Sequence, residues 1–184
     1  MNPSHLKQAI ITFNKGGVIA YPTEAVFGLG CLPDFQDSVY RILQLKHRAV
    51  EKGLILVASS LEQLEDYVHF DHLPMIDQIR NSWPGPVTWL IPAKKKTPTW
   101  LTGSHRTLAV RVSSHPTVNA LCRELGPIVS TSANPAGSKP ATTTEEVLSY
   151  FGEELDYVIP ADINNNLNPT EIRDAQNGNI IRVS

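Results

Sequence analysis

The sequence lacks the features that mark membrane, secreted or disulfide-stabilised proteins. Its 184 residues contain no run of about 18 apolar residues, and residues 1–7 lack the basic and apolar regions of a secretory signal. Cys31 and Cys122 form no CxxC pair and are too few to cross-link a domain of this size, so buried free thiols are expected. We therefore expect a cytoplasmic protein that does not contact a membrane.

A strongly basic charge is also missing. The formal net charge is −2, which argues against a protein whose main role is to coat nucleic acid. The one basic run, at 94–96, stands between Pro92 and Pro98. We interpret it first as a solvated loop, with a local RNA contact as the alternative.

Several familiar catalytic and nucleotide-binding motifs are absent. The sequence has no GxxxxGK[ST] and no GxSxG, and Pro33 stands where the third glycine of a GxGxxG would follow Gly28 and Gly30. His69 and His72 lie three residues apart, but no further Cys or His cluster completes a metal site. The sequence thus argues against a P-loop, a Rossmann site and a serine hydrolase, and we expect no tightly held metal ion.

What the sequence does contain is an alternation of helical and strand patterns. Apolar residues at helical spacing predict helices that begin near Pro3, Asp37 or Ser38, Ser60, His115 and Thr144. Short apolar runs predict strands at 18–21, 54–58, 87–91, 108–112 and 128–130, and Asn177-Gly178 indicates a C-terminal hairpin. This mixture predicts a single α/β domain over residues 1–184, with a mixed parallel and antiparallel sheet.

Hydroxyl groups and glycines follow two of the predicted strands. Residues 21–30 come after the first strand and are expected to form a loop whose two glycines let the backbone approach a ligand. Residues 130–134, Ser-Thr-Ser-Ala-Asn, follow a later strand and could present hydroxyls and N–H groups to phosphate. Ordinary turn chemistry is an equally good interpretation of each loop taken alone.

Four cations suggest an anionic ligand. Lys46 and Arg48 do not share a helical face, so both could enter one site only if the helix unwinds near Lys46; otherwise they complement the helix dipole. Arg111 lies inside an apolar strand, where a charge needs a ligand anion or an acidic partner. Arg182 stands between Ile181 and Val183 and invites the same argument.

Taken together, these stretches resemble the YrdC family, whose small bacterial members are threonylcarbamoyl-AMP synthases. The resemblance spans almost the whole chain. The matching segments are YPTEAVFGLGC at 21–31, LKHR at 45–48, KGLIL at 52–56, SWPGPVT at 82–88, TLAVRV at 107–112, STSAN at 130–134 and NPTEIRD at 168–174. One departure is Ala49, because relatives often have proline directly after Lys-x-Arg.

The resemblance implies a twisted α/β fold with a concave, positively lined cavity. It implies that L-threonine, bicarbonate and ATP, with Mg²⁺ assisting, give threonylcarbamoyl-AMP and pyrophosphate, and that partner proteins then transfer the group to tRNA beside the anticodon. The threonine contacts that it implies are Thr23, Arg111, Ser130 and Thr170. The ATP contacts that it implies are Lys46, Arg48, Thr107, Ser132, Asn134 and Arg182, with Lys46 and Arg48 as the catalytic cations. The alternative function is binding of double-stranded RNA, as in ribosome assembly, without catalysis.

Overall fold

The helices and strands of the chain form one mixed α/β arrangement. The computed structural model describes residues 2–163 and 170–183. The α-helices are Pro3–Asn14 (α1), Gln36–Leu45 (α2), Ile76–Ser82 (α3), Thr99–Thr102 (α4), Pro116–Leu125 (α5) and Thr144–Phe151 (α6). The strands are Ile19–Pro22 (β1), Phe27–Gly30 (β2), Ile55–Ala58 (β3), Thr88–Pro92 (β4), Thr107–Val112 (β5), Ile128–Ser132 (β6), Tyr157–Val158 (β7), Ile172–Asp174 (β8) and Ile180–Arg182 (β9).

These strands form a single twisted sheet in the order β7-β1-β2-β6-β3-β5-β4-β8-β9. At its centre β3 pairs with β5 in parallel, while β6 runs antiparallel to both β3 and β2. The hairpin β8–β9 closes one edge of the sheet and pairs through β8 with β4. The mixed sheet predicted from the sequence is therefore confirmed, as is the C-terminal hairpin.

The two faces of the sheet are covered to different extents. On one face a large apolar cluster includes Leu56, Val110 and Val129 of the central strands. On the opposite face Val57 and Ile128 pack with side chains of α1 and α5 in a second cluster. This second cluster covers only one end of the central strands, and the uncovered end carries the site described below.

Several helix ends follow the signals in the sequence. Asn2 caps α1 by accepting a hydrogen bond from the Ser4 amide, with Pro3 at the first helical position. Pro116 follows the cap of α5, which ends at Gly126, and α6 opens with a capping box between Thr143 and Glu146. Local capping chemistry thus fixes both ends of α5 and the beginnings of α1 and α6.

Other expectations were wrong. Residues 27–30 form β2 rather than a loop, because their backbone pairs with β1 on one side and β6 on the other. Neither Asp37 nor Ser38 caps α2, which begins at Gln36; the Ser38 hydroxyl donates instead to the Gly16 carbonyl. No α-helix begins near Ser60 either. The 3₁₀ turn there is Glu62–Leu64, and the Gln63 side chain accepts from the Ser59 amide.

The remaining structural expectations concern the cysteines, the basic run and the membrane. Cys31 and Cys122 are buried and free, and burial raises the pKa of each thiol to about 12. Residues 94–96 form a surface loop in which the Lys96 ammonium pairs with Asp66. Among the described helices, none is long and apolar enough to cross a bilayer.

Candidate active site

A cavity of about 480 Å³ opens over the uncovered end of the central strands. Its floor is the sheet itself, where Ala109 and Arg111 of β5 face the cavity and the alternating residues Leu108 and Val110 face the core. Because β3 and β5 begin at this end, the cavity does not lie at the carboxyl edge where doubly wound sheets bind ligands. Its place is set instead by how far α1 and α5 reach across the sheet.

Every residue singled out in the sequence as a contact for threonine or ATP lines this one cavity. They arrive from three strands and several loops that are far apart in sequence. The ten residues are Thr23, Lys46, Arg48, Thr107, Arg111, Ser130, Ser132, Asn134, Thr170 and Arg182. Asn168 and Pro169, in the last matching segment, lie outside the described residues.

One end of the cavity combines hydroxyl groups with a buried guanidinium. Arg111 is 5% exposed, and its Nη1 donates to Thr170 Oγ1 at 2.7 Å. Thr23 and Ser130 are also buried beside the cavity, and the Thr23 hydroxyl donates to the Val26 carbonyl at 2.6 Å. A guanidinium flanked by hydroxyls can bind a carboxylate together with other polar groups of a small molecule.

Glu24 completes the surroundings of Arg111 and was not predicted. Its Oε2 lies 3.5 Å from Arg111 Nη2, and its Oε1 accepts from Ser113 Oγ at 2.6 Å. Burial raises the pKa of Glu24, but the charge of Arg111 and the Ser113 hydrogen bond outweigh this effect and lower it. Arg111 therefore has the acidic partner that the sequence left as an alternative, and it lines the cavity as well.

Lys46 lies at the other end of the cavity, where its ammonium group holds a loop. The Nζ donates to the carbonyl oxygens of Ser132 and Asn134, the latter at 2.8 Å, and lies 3.4 Å from Asn134 Oδ1. Burial, together with the nearby charge of Arg48, lowers the pKa of Lys46 to about 8. The positive charge of Lys46 thus orders the loop after β6 and contributes to the cavity.

The helix unwinds at Lys46, as two cations entering one site would require. α2 ends at Leu45, Lys46 is its C-cap, and His47 has a φ of 49°. After this turn Arg48 reaches the cavity, and its Nε and Nη2 donate to the Gly53 carbonyl at 3.2 and 2.9 Å. Ala49 has a φ of −64°, close to the value that proline imposes, so this departure from the family pattern keeps the backbone that proline would give.

The C-terminal hairpin supplies the last wall. Arg182 of β9 donates from Nε and Nη2 to the Thr170 carbonyl, at 3.2 and 2.6 Å, which holds its guanidinium beside the cavity. Asn134 is fixed on the opposite side, where its Nδ2 donates to the Ser138 carbonyl at 2.9 Å. The hairpin and the loop after β6, which are far apart in the sequence, therefore line the same cavity.

The charge of the lining is of one sign. Lys52, which the sequence did not single out, joins Lys46, Arg48, Arg111 and Arg182, and the lining residues that the structure describes include no Asp or Glu. Such a surface favours a polyanion. It offers no carboxylate to hold a Mg²⁺ ion by itself, so a magnesium ion would have to be bound by the phosphates of the ligand.

The comparisons with known proteins identify the family of the chain. The family model for Sua5, YciO and YrdC proteins, described as telomere recombination, matches residues 12–184. The chain belongs to this family. Among its curated relatives, the threonylcarbamoyl-AMP synthase of Cellvibrio japonicus is 48% identical, over the whole of this chain and 97% of the relative.

Solved structures of this Sua5/YciO/YrdC family share the fold. E. coli YciO superposes with a TM-score of 0.82 at 28% identity, over 99% of this chain and 90% of YciO. P. abyssi Sua5 complexed with L-threonine superposes with a TM-score of 0.83 at 29% identity, over 92% of this chain. The chain spans only 50% of the length of that Sua5.

Proposed function

We propose that this protein catalyses the formation of L-threonylcarbamoyl-AMP from L-threonine, bicarbonate and ATP, with release of pyrophosphate. One observation supports the proposal: a single cavity has a buried guanidinium among hydroxyls at Arg111, which suits a carboxylate, and a cationic end around Lys46 and Arg48. An amino acid and a nucleoside triphosphate together require both ends. The relatives named threonylcarbamoyl-AMP synthase support the same reaction.

The threonine end positions the nucleophile. The amine of threonine and bicarbonate form the carbamate with loss of water, and Arg111 holds the α-carboxylate while Thr23, Ser130 and Thr170 surround the rest of the molecule. A carbamate oxygen then attacks the α-phosphorus of ATP, the bond from that phosphorus to the bridging oxygen breaks, and pyrophosphate leaves with the electron pair. Holding both reactants in this geometry is the main contribution expected of the protein.

The cationic end balances the charge that develops on pyrophosphate. Arg48 and Arg182 lie beside the cavity with guanidinium groups fixed by backbone carbonyls, so little reorganisation is needed when charge develops. Lys46 adds charge and fixes the carbonyls of Ser132 and Asn134, while Thr107 lines the same end. Mg²⁺, carried on the ATP phosphates, would neutralise part of their charge.

The product serves a later step in this proposal. Threonylcarbamoyl-AMP is a mixed anhydride, so a separate acyl-transfer step must consume it. We propose that threonylcarbamoyl-transfer proteins pass the group to tRNA and that the protein therefore works in the cytoplasm.

The decisive experiment measures pyrophosphate and threonylcarbamoyl-AMP when the pure protein is incubated with Mg-ATP, threonine and bicarbonate. Omitting threonine, or removing bicarbonate by degassing, should abolish both products, because neither precursor alone forms the carbamate. Pyrophosphate release at an equal rate without bicarbonate would overturn the proposed reaction.

A further inference from the structure

Thr170 holds two arginines that belong to different ends of the cavity. Its hydroxyl accepts a hydrogen bond from Arg111 Nη1 at 2.7 Å. Its main-chain carbonyl accepts two from Arg182, at 3.2 Å from Nε and 2.6 Å from Nη2. Arg111 lies at the end proposed for threonine and Arg182 at the end proposed for ATP, so one residue connects the two ends through hydrogen bonds.

The strands that carry these arginines do not pair with each other. Arg111 lies in β5 and Arg182 in β9, and β4 and β8 stand between them in the sheet. Thr170 lies just before β8, so its contacts reach across β4 on one side and to the neighbouring β9 on the other. Among the residues that the structure describes, only Thr170 accepts hydrogen bonds from two arginines.

The two arginines repel each other and differ in how firmly they are held. Partial burial lowers the pKa of Arg182, and the positive charges of Arg111 and Arg48 lower it further. Arg111 is buried and has Glu24 as a second partner. Arg182 is exposed on an edge strand, and within the described part of the chain its side chain donates to Thr170 alone. The position of Arg182 therefore depends on Thr170.

The hydroxyl of Thr170 can also respond to a ligand on Arg111. Because this hydroxyl accepts from Arg111, its own hydrogen remains for another acceptor, and no described residue takes it. A carboxylate bound to Arg111 is such an acceptor. It would immobilise Thr170, and with it the carbonyl that positions Arg182 for the phosphates.

We infer that Thr170 is a positioning residue that makes the binding of threonine and of ATP mutually favourable. This inference rests on the proposed function and adds to it a coupling between the two substrates. The ligand that binds first fixes Thr170, so the second ligand meets a site that is already ordered, and less conformational entropy is lost when it binds. Such coupling is typically about 5- to 150-fold and is reciprocal, so each substrate should lower the Kd of the other by the same factor.

The first test measures this factor by calorimetry in degassed, bicarbonate-free buffer, so that no product forms. In the wild-type protein, saturating threonine should lower the Kd for ATP by about fivefold or more. Thr170→Val keeps the shape of the side chain and the carbonyl that holds Arg182 but removes the hydroxyl. The factor should fall close to 1 in Thr170→Val and should persist in Thr170→Ser, which restores the hydroxyl.

Thr107→Val is the matched control. Thr107 also lines the cavity, but the arginines described there donate to Gly53 and Thr170 instead. This variant should keep the wild-type factor, whatever its effect on ATP binding alone. If Thr170→Val weakens threonine binding but leaves the factor unchanged, Thr170 is only a threonine contact and the inference is wrong.

The wild-type measurement does not depend on whether any variant folds, and it separates the inference from the proposed function. A wild-type protein that makes threonylcarbamoyl-AMP but shows a factor of 1 contradicts the inference alone. A wild-type protein that releases no pyrophosphate with threonine, bicarbonate and ATP contradicts the proposed function itself.

Discussion

At the scale of single residues, Lys46 combines two tasks that are usually separate. Lys46 is only 6% exposed. Its ammonium group is surrounded by the carbonyls of Ser132 and Asn134 and by the Asn134 side chain. These acceptors use the N–H groups of the lysine, so its effect on a bound phosphate would come mainly from its charge. Arg48, which keeps Nη1 without an intramolecular partner among the described residues, is better placed for direct hydrogen bonds.

We expect Lys46→Ala and Arg48→Ala each to lower turnover by roughly 10²-fold or more, by analogy with the loss of a preorganised charge donor. Lys95→Ala, in the exposed loop, is the matched control and should leave turnover nearly unchanged. Pyrophosphate release and thermal melting should be measured on the same three variants. Near-normal turnover with earlier melting in the first two would mean that these cations only stabilise the end of α2.

The lowered pKa of Lys46 predicts a pH dependence of ATP binding. A lysine is cationic only below its pKa, so with a pKa of about 8 a growing fraction of the free protein loses this charge above pH 8. Bound phosphates favour the cation, and ATP binding at pH 9 should therefore take up a proton. Calorimetric titrations in two buffers of different ionisation enthalpy measure this uptake.

Two variants locate that proton. Lys46→Ala should abolish the uptake at pH 9. Arg48→Ala should reduce it, because the charge of Arg48 helps to lower the pKa of Lys46 and its loss raises that pKa. Unchanged uptake in Lys46→Ala would assign the proton to another group.

Glu24 is expected to stabilise the fold by neutralising Arg111. Glu24→Gln keeps an acceptor for Ser113 but leaves the buried guanidinium unpaired, which should cost roughly 3 kcal/mol in the free energy of unfolding at pH 7. Because the folded-state pKa of Glu24 is lowered, its contribution is present above the unfolded pKa of about 4.3 and is lost as the pH falls through the folded value. The two proteins should thus converge in stability in acid.

Denaturant unfolding at several pH values checks this prediction. Glu62→Gln, at an exposed carboxylate, is the control and should leave stability nearly unchanged. A constant difference between wild type and Glu24→Gln down to pH 2 would show that the charge of Glu24 is not what stabilises Arg111.

At the scale of helices and strands, the sequence was most informative where local chemistry decides the structure. The proline after the cap of α5 and the glycine at its end depend on neighbouring residues only, and they predicted this helix to within one residue. β2 was missed because two of its four residues are glycine, which has low strand propensity, and its pairing partners come from β1 and β6. Non-local pairing overrode local preference.

In the candidate site, too, local chemistry could be predicted from the sequence and non-local contacts could not. Arg111 could be singled out because a charge in an apolar strand requires a partner. Glu24 could not, because nothing in a Thr-Glu pair says which distant strand its carboxylate will face. The position of the cavity was also beyond the sequence, since it depends on how much of one sheet face α1 and α5 cover.

Replacing two glycines at helix ends distinguishes the cost of backbone strain from the cost of steric crowding. Gly103 and Gly126 end α4 and α5 with φ of 62° and 80°. Gly126→Ala should cost about 1–3 kcal/mol for the positive φ alone. Gly103→Ala should cost a further 1–3 kcal/mol or so, because its Cβ would lie 2.4 Å from the Glu51 carbonyl oxygen.

Denaturant unfolding of both variants measures the two losses of stability, and a turnover assay measures the activity of each. Glu51 lies in the 3₁₀ turn Val50–Lys52, and the Lys52 carbonyl accepts a hydrogen bond from Arg48. Gly103→Ala should therefore also lower turnover, whereas Gly126→Ala should not. Equal losses of stability would mean that the contact at Glu51 relaxes without cost.

At the scale of the whole molecule, the distribution of charge matters more than its sum. The chain carries a net charge of −2, yet five of its 16 lysines and arginines line one cavity. This concentration suits a small polyanion held inside the cavity better than a long nucleic acid held along a surface. The reaction that the name of the threonylcarbamoyl-AMP synthase relatives describes is thus favoured over RNA binding as the main activity.

Salt dependence distinguishes RNA binding along a surface from ATP binding in the cavity. We expect any affinity for double-stranded RNA to fall steeply between 50 and 200 mM salt, by roughly 10³-fold or more if six or so phosphates are contacted. The affinity for ATP, held at a few cations inside one cavity, should change far less. Fluorescence titrations at both salt concentrations measure the two affinities, and tight RNA binding at 200 mM would favour the RNA-binding alternative.

The half-covered sheet gives the substrates a structural meaning. Where α1 and α5 stop, the floor of the cavity is bare strand, and small residues such as Ala109 and Ser130 bring ligand atoms close to it. Threonine and ATP, once bound, would stand where a further helix would otherwise pack. The bound substrates would therefore form part of the layer that covers this face of the sheet. That part of the packing would form and be lost in each catalytic cycle.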